Sequence, residues 1–312
     1  MKNTQLHPLI SILVPCYNEV EVVEIFLKKI NIILDEIDKS FEIVFVNDGS
    51  IDDTLAALIH LKKVYKNIRI INLSRNFGKE AALTAGLDVV KGEVVIPIDA
   101  DLQDPPILIK NFIEHWEKGS DVVLAKRTDR SNDSVLKRVS AKLFYKLNHK
   151  ISKVSIPEDV GDYRLITRKV VKALQQLPES ERFMKGLFSW VGFKTTVVEY
   201  KREKRISGHT SFSAWKLWNL ALDGITSFST FPLKVWLYLG SLVSFISFIY
   251  GTIIIFKTII LGIELPGYAS IMTVILFLGG IQLIGIGILG EYIGRIYMES
   301  KRRPTYIIEG EY

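Results

Sequence analysis

Apolar positions in the first 130 residues come in short unbroken runs, each followed by a longer stretch in which they recur every three or four residues. "LISILVP" (9–15) precedes the helix-patterned "EVEVVEIFLKKINIILDEI", "FEIVFVN" (41–47) precedes "DDTLAALIHLKKVY", and "IRIINLS" (68–74) precedes "KEAALTAGLDVV". Two further runs, "EVVIPID" and "DVVLAKR", follow. Unbroken runs of this length read as strands buried on both faces, and their alternation with helices predicts a mainly parallel sheet covered on both sides. In such sheets ligands sit at the carboxyl ends of the strands.

The last third of the chain has a different pattern. "VWLYLGSLVSFISFIYGTIIIFKTIILG" and "ASIMTVILFLGGIQLIGIGILGEYIG" are almost free of charge, and each exceeds the roughly 20 residues that cross a bilayer core. They predict transmembrane helices over 235–261 and 269–293, since a helix apolar all round has no solvent face. Gly290 and Gly294 form a GxxxG pair in the second, a spacing that suits close helix contact. Lys216 and Lys234 precede the first span and Arg295, Lys301, Arg302 and Arg303 follow the second, whereas the connecting "IELPGY" has no basic residue. The positive-inside rule then puts both termini and the soluble part in the cytoplasm. "LISILVP" is strand-length and lacks a cleavage site, so it does not read as a signal peptide.

Charge and cysteine usage narrow the picture further. The net charge of +6 across 312 residues suits attraction to anionic lipid headgroups, and no motif for nucleic-acid recognition accompanies it. A lone Cys16 rules out an internal disulfide, fits a reducing compartment, and reads as a small buried hydrophobe.

Unusual residues gather at the predicted strand ends: "PCYNE", "NDGS", "SRNFG", "DADLQD" and "KRTDR". Turn or N-cap chemistry accounts for any one of them; five at one edge point to a ligand. No GxGxxG follows the first strand and no GxxxxGK[ST] occurs, which argues against a dinucleotide oxidoreductase and a P-loop NTPase. The five histidines lack zinc-ligand spacing. Strand alternation would send Asp99 and Asp101 to one side, about 7 Å apart, where they repel unless something positive lies between them. With Gln103 they offer hard oxygen ligands, suited to Mg²⁺ or Mn²⁺ carrying phosphates.

"VPCYNE", "VNDGSIDDT", "LSRNFGKEAALTAGLDVVKGEVVIPIDADLQDPP" and "GDYRLITR" resemble the family 2 glycosyltransferases with the GT-A fold. More narrowly, the chain is similar to their polyisoprenyl-phosphate branch, whose bactoprenol-using members also carry two C-terminal spans. The resemblance implies an α/β, Rossmann-like GT-A catalytic domain over 1–208, amphipathic juxtamembrane helices over 209–233, a transmembrane hairpin over 234–295 and a cytoplasmic basic tail over 296–312.

It also implies roles. Pro15, Tyr17 and Glu19 match the first nucleotide-contacting loop, and Asp48 matches the acid that meets the base; Asn47 stands where the family often has a further acid. Asp99, Asp101 and Gln103 match the metal and diphosphate motif. Arg127, Arg138 and Ser140 resemble positions that receive the lipid phosphate, and guanidinium groups clamp phosphate well because their donors form a planar fork. "KRVSAKLFYKLNHK" also reads as a basic helix lying on headgroups. Asp162 matches an acid near the acceptor that orients it, acts as a base or caps the next element. Arg205 lies in a basic loop that resembles one closing over the donor, and Trp215 and Trp218 beside Lys216 suit an interfacial helix.

The implied reaction is an inverting single displacement. The phosphate of a polyprenyl phosphate attacks the anomeric carbon of a nucleotide diphosphate sugar, UDP-glucose by resemblance, with N-acetylglucosamine, galactose, mannose and an aminoarabinose as alternative sugars. A divalent ion stabilises the leaving diphosphate, and a homo-oligomer is implied. Three rivals carry weaker signals. A processive polysaccharide synthase lacks its QxxRW motif here, a scaffold with a decayed site conflicts with the intact acids at the strand ends, and two spans with few polar residues give a flippase no pathway.

Overall fold

The computed structural model describes residues 9–128, 157, 159–180, 182–201, 230–261 and 267–312. The elements run β1 (Ile10–Cys16), α1 (Val23–Asp35), β2 (Phe41–Asn47), α2 (Thr54–Val64), β3 (Ile68–Leu73), α3 (Lys79–Val89), β4 (Val94–Pro97), α4 (Leu108–Glu117) and β5 (Val122–Arg127). They continue with β6 (Val160–Thr167), α5 (Arg168–Gln175), α6 (Met184–Trp190), β7 (Thr195–Tyr200), α7 (Phe231–Leu261), α8 (Tyr268–Ser300) and β8 (Ile308–Glu311).

All eight strands form one sheet in the order β7-β5-β6-β4-β1-β2-β3-β8. β1 pairs in parallel with β2 and β4, β2 with β3, and β5 with β7. The expected parallel arrangement therefore holds for β1 to β5, which all end at one edge. Two strands run the other way: β6 between β4 and β5, and β8 beside β3. An antiparallel strand starts where its neighbours end. The first residues of β6 and β8 thus lie at the carboxyl edge, which brings "GDYRL" and Glu309 to it.

Side-chain alternation along the central strands builds the core on both faces. Ile10, Ile12 and Val14 pack with Phe26, Phe45 and Phe112 on the side of α1, α2 and α4. Leu13, Val44 and Val46 pack with Leu83, Val170 and Leu187 on the side of α3, α5 and α6. Cys16 is 2% exposed and belongs to the first of these layers, as a small hydrophobe would. Each such aliphatic side chain contributes roughly 1.5–3 kcal/mol by leaving water.

α7 and α8 have 31 and 33 residues and are long and apolar enough to cross a membrane. Their large apolar side chains face outward, with Phe248 and Ile259 each 75% exposed. The two helices meet where a Cβ on Gly285 would fall 2.0 Å from Cε2 of Trp236. The GxxxG pair behaves differently: no described atom comes within 4 Å of a Cβ placed at Gly290 or Gly294.

Residues 296–312 do not form a separate tail. α8 runs to Ser300, and Glu299 accepts hydrogen bonds from the Ser180 N–H at 2.8 Å and the Ser180 hydroxyl at 3.0 Å. β8 then closes the sheet edge through reciprocal backbone bonds between Ile70 and Tyr312, both 2.9 Å, and a 2.6 Å ion pair from Arg69 to Glu311. Basic composition did not foretell this, because a four-residue strand at an edge is specified by its partner rather than by an apolar pattern of its own.

Candidate active site

The acidic motif is placed by a turn. β4 stops at Pro97, short of the run "EVVIPID", and Leu102 sits at φ 56°, so the chain reverses instead of extending. The Gln103 N–H closes this turn on Asp101 Oδ1 at 3.1 Å. Strand alternation thus does not set the separation of Asp99 and Asp101. Asp101 is 9% exposed, and Gln103 Oε1 is buried with no hydrogen-bond partner among the described residues.

The positive group beside Asp99 is Lys79. Its Nζ lies 2.6 and 2.9 Å from the two oxygens of Asp99 and 2.8 Å from Asp162 Oδ2. Lys79 opens α3 directly after Gly78, whose φ of 98° turns the chain into the helix. Asp162 comes from the start of β6. One ammonium thereby joins two acids that are 63 residues apart in sequence.

Burial alone would raise the Asp162 carboxyl, but Lys79 and Lys185 hold it well below the usual carboxylate range. Burial likewise works against the charge on Lys79, and Asp99 and Asp162 outweigh it and push the ammonium up. Asp162 Oδ1 is buried and makes no hydrogen bond among the described residues. Behind it, burial lowers the Arg164 guanidinium to about 10 while it stacks 4.1 Å over Phe188. Glu80 is pushed up to about 7, first by burial and then by the charge of Asp162.

This last shift has a measurable sign. The folded value of Glu80 lies above its ordinary 4.5, so its contribution is complete at acid pH and is lost as pH rises from 4.5 through 7. Glu80→Gln removes that titration. The melting temperature of the variant should gain on wild type as pH goes from 5 to 8, measured by intrinsic fluorescence; a constant difference across that range contradicts the assignment.

Arg127 ends β5 on the same edge. Its Nε donates to the Tyr200 hydroxyl at 3.2 Å, and that hydroxyl donates to Asp104, which is 3% exposed. A Cβ on Gly161 would lie 3.2 Å from Arg127 Nη2. Tyr200 and the small residue at 161 therefore fix where the guanidinium fork sits.

Beyond β1 and β2 a cavity of about 430 Å³ is lined by Tyr17, Asn47, Ser50, Asn72, Arg75 and Glu309, among others. Tyr17 is 43% exposed at its mouth. Pro15 lies within β1, and the Glu19 N–H donates to Thr54 Oγ1 at 2.9 Å, bracing the loop after β1. Asp48 is 3% exposed, and its two oxygens accept the N–H groups of Phe77 and Gly78 at 2.7 and 2.9 Å. Asp48 thus holds the loop that leads to Lys79, while the neighbouring Asn47 faces the cavity.

Gly49 makes this packing possible. It sits at φ 59°, and a Cβ there would come 2.2 Å from the Arg75 carbonyl carbon and 2.5 Å from the Asn76 nitrogen. Gly49→Ala should cost roughly 1–3 kcal/mol through backbone strain and overpacking. A variant with unchanged melting would show that the two loops separate freely.

Arg138, Ser140, Arg205 and the segment holding Trp215 and Trp218 lie outside the described residues. Sequence reasoning passed over Lys79, Asn72, Tyr200 and Glu309. Lys79 stood inside the quoted "RNFGKEAALTAG", where a lysine just after a glycine at a helix start was the available signal. Nothing local marks Tyr200 or Glu309, whose partners are distant in the chain.

Three comparisons bear on this arrangement. Residues 11–175 match glycosyl transferase family 2, and residues 231–296 match the GtrB C-terminal hairpin. The chain is 54% identical over 302 residues to a bactoprenol glucosyl transferase of Shigella phage SfV, covering 97% of this chain and 98% of that one. It is also 54% identical over 300 residues to a prophage bactoprenol glucosyl transferase homolog of Escherichia coli K12, covering 96% and 98%. In fold it resembles glucosyl-3-phosphoglycerate synthase of Mycobacterium tuberculosis, solved in complex with Mn²⁺, UDP and phosphoglyceric acid. That likeness has a TM-score of 0.51 at 20% identity and covers 70% of this chain and 76% of that one. Sheet, acidic edge and near-full-length kinship agree: the chain belongs to glycosyl transferase family 2 and is a glycosyltransferase with a GT-A fold.

Proposed function

We propose that this protein transfers glucose from UDP-glucose to the phosphate of a polyprenyl lipid, with inversion at the anomeric carbon, at the cytoplasmic face of a membrane. One observation carries the reading: Asp99, Asp101, Gln103, Asp162, Lys79 and Arg127 converge on one sheet edge next to the Tyr17–Asn47 cavity. Relatives named bactoprenol glucosyl transferase, 54% identical along nearly the whole chain, support the choice of sugar and lipid.

Asp99, Asp101 and Gln103 fit a divalent cation. Two carboxylates and a neutral amide oxygen are hard ligands, and Gln103 Oε1 has no hydrogen-bond partner among the described residues, while Asp99, whose two oxygens meet Lys79, would share its charge between the ammonium and the ion. Mg²⁺ or Mn²⁺ held there supplies positive charge where the leaving diphosphate gains negative charge. The remaining work falls to the chain's own groups. Lys79 keeps Asp99 and Asp162 in place. Arg127, oriented by Tyr200, offers a planar fork to the lipid phosphate. Asp162, held ionised by Lys79, is a weak base, so its role is to orient the acceptor. Little base is needed, since a phosphomonoester with a second pKa near ~6 is mostly dianionic at neutral pH.

Topology supports a hairpin with both ends on one side. α7 follows the catalytic sheet in the chain and β8 rejoins that sheet after α8, so an even number of crossings is required. Lys234 and Arg295 at the flanks suit the cytoplasmic side, and Gly290 and Gly294 of α8, which no described atom approaches, leave room for a second copy in a homo-oligomer.

The test uses purified full-length protein in detergent with Mn²⁺, labelled UDP-glucose and undecaprenyl phosphate. Label should move into a single short lipid product. Polymer formation would indicate a processive synthase, transfer only from another nucleotide sugar would correct the donor, and no transfer from any donor would leave a binding scaffold.

A further inference from the structure

A directed run of hydrogen bonds crosses the wall of the cavity. The Ser50 hydroxyl donates to Asn47 Oδ1 at 2.6 Å, Asn47 Nδ2 donates to Asn72 Oδ1 at 2.7 Å, and Asn72 Nδ2 donates to Glu309 Oε2 at 2.7 Å. Asn47 and Asn72 are 1% and 5% exposed, so their amides are fixed by these partners. An amide presents a donor on one side and an acceptor on the other and can turn over; a carboxylate only accepts. The end of the run therefore decides its direction. With Glu309 in place, Asn72 must turn its NH₂ to the carboxylate, its oxygen to Asn47, and Asn47 must hold its own oxygen toward Ser50. That carbonyl has a second lone pair.

Glu309 reaches this position by a local irregularity. Asn72 pairs with Gly310 and Leu73 with Ile308, so Glu309 is the extra residue of a β-bulge. Bulges beside sites re-aim a side chain. The strand does not need Glu309 for docking, because Arg69–Glu311 and the Ile70–Tyr312 backbone pair already hold it.

Resting on the UDP-sugar reading above, we propose that Glu309, delivered by the strand that follows the membrane hairpin, is a positioning residue that sets the hydrogen-bond polarity of the nucleobase pocket. The polarity it imposes presents an acceptor, Asn47 Oδ1, which matches the N3–H of uracil. Cytosine carries a bare acceptor nitrogen at that position and leaves two lone pairs opposed. Sugar selection by other parts of the site is independent of this choice.

Glu309→Gln tests the assignment with little change of shape. A glutamine amide can donate as well as accept, so the run is free to reverse and turn an Asn47 N–H to the base. Affinities for UDP and CDP are measured by calorimetry on the full-length protein with Mn²⁺ and no acceptor. Wild type should favour UDP by about tenfold or more, the scale of one mismatched buried hydrogen bond; the variant should lose most of that preference. A variant with the wild-type UDP:CDP ratio overturns the assignment. So does one that weakens both nucleotides equally, which would make Glu309 a brace for the strand. Wild-type protein that binds neither nucleotide instead overturns the donor reading itself.

Discussion

Lys79→Met should lower turnover by at least about 100-fold, the scale on which removing one preorganised charge acts. Methionine keeps the unbranched apolar stem and removes the ammonium, so Asp99 and Asp162 are left facing one another without the group that joins them. The pair is partly open, with the Lys79 side chain 43% exposed, and solvent screening limits the cost to folding. The damage should therefore fall on turnover more than on melting. Asp162 would also lose the neighbour that keeps its carboxyl low, so the double variant Lys79→Met, Asp162→Asn should melt higher than the single one. Coupling of this kind is what a double-mutant cycle reads. Wild-type turnover in the single variant would show that Lys79 is a bystander.

Asp101→Asn should reduce glucosyl transfer roughly 10²–10³-fold while leaving the fold intact. The substitution removes a charge but keeps an oxygen that can accept the Gln103 N–H, so the turn around Leu102 survives. A second readout separates metal binding from chemistry. In wild type, Mn²⁺ should tighten UDP binding and a chelator should abolish that gain; in the variant, UDP affinity should no longer respond to Mn²⁺. A variant that transfers at the wild-type rate, or whose UDP affinity still follows Mn²⁺, removes Asp101 from the metal set.

Periodicity and composition determined much of this protein without a structure. Unbroken apolar runs identified β1 to β5, their alternation with helices identified a two-faced α/β sheet, and two long, nearly uncharged stretches identified α7 and α8. These signals are legible because burial on both faces, or in lipid, demands apolar residues whatever lies nearby. The same logic placed Asp99, Asp101, Gln103 and Arg127 at one edge, because every parallel strand ends there.

Tertiary structure decided what local pattern could not. β6 and β8 run against their neighbours, and only that reversal delivers Asp162 to Lys79 and Glu309 to Asn72, across 83 and 237 residues of chain. Asp48 and Asn47 are adjacent in sequence, yet one holds the backbone of the next loop and the other faces the cavity. Alternation along a strand puts neighbours on opposite sides, and the loops packed on each side settle which one meets a ligand. The short strand β8 carried no apolar signature at all, since a strand at a sheet edge draws its stability from the backbone groups of its partner.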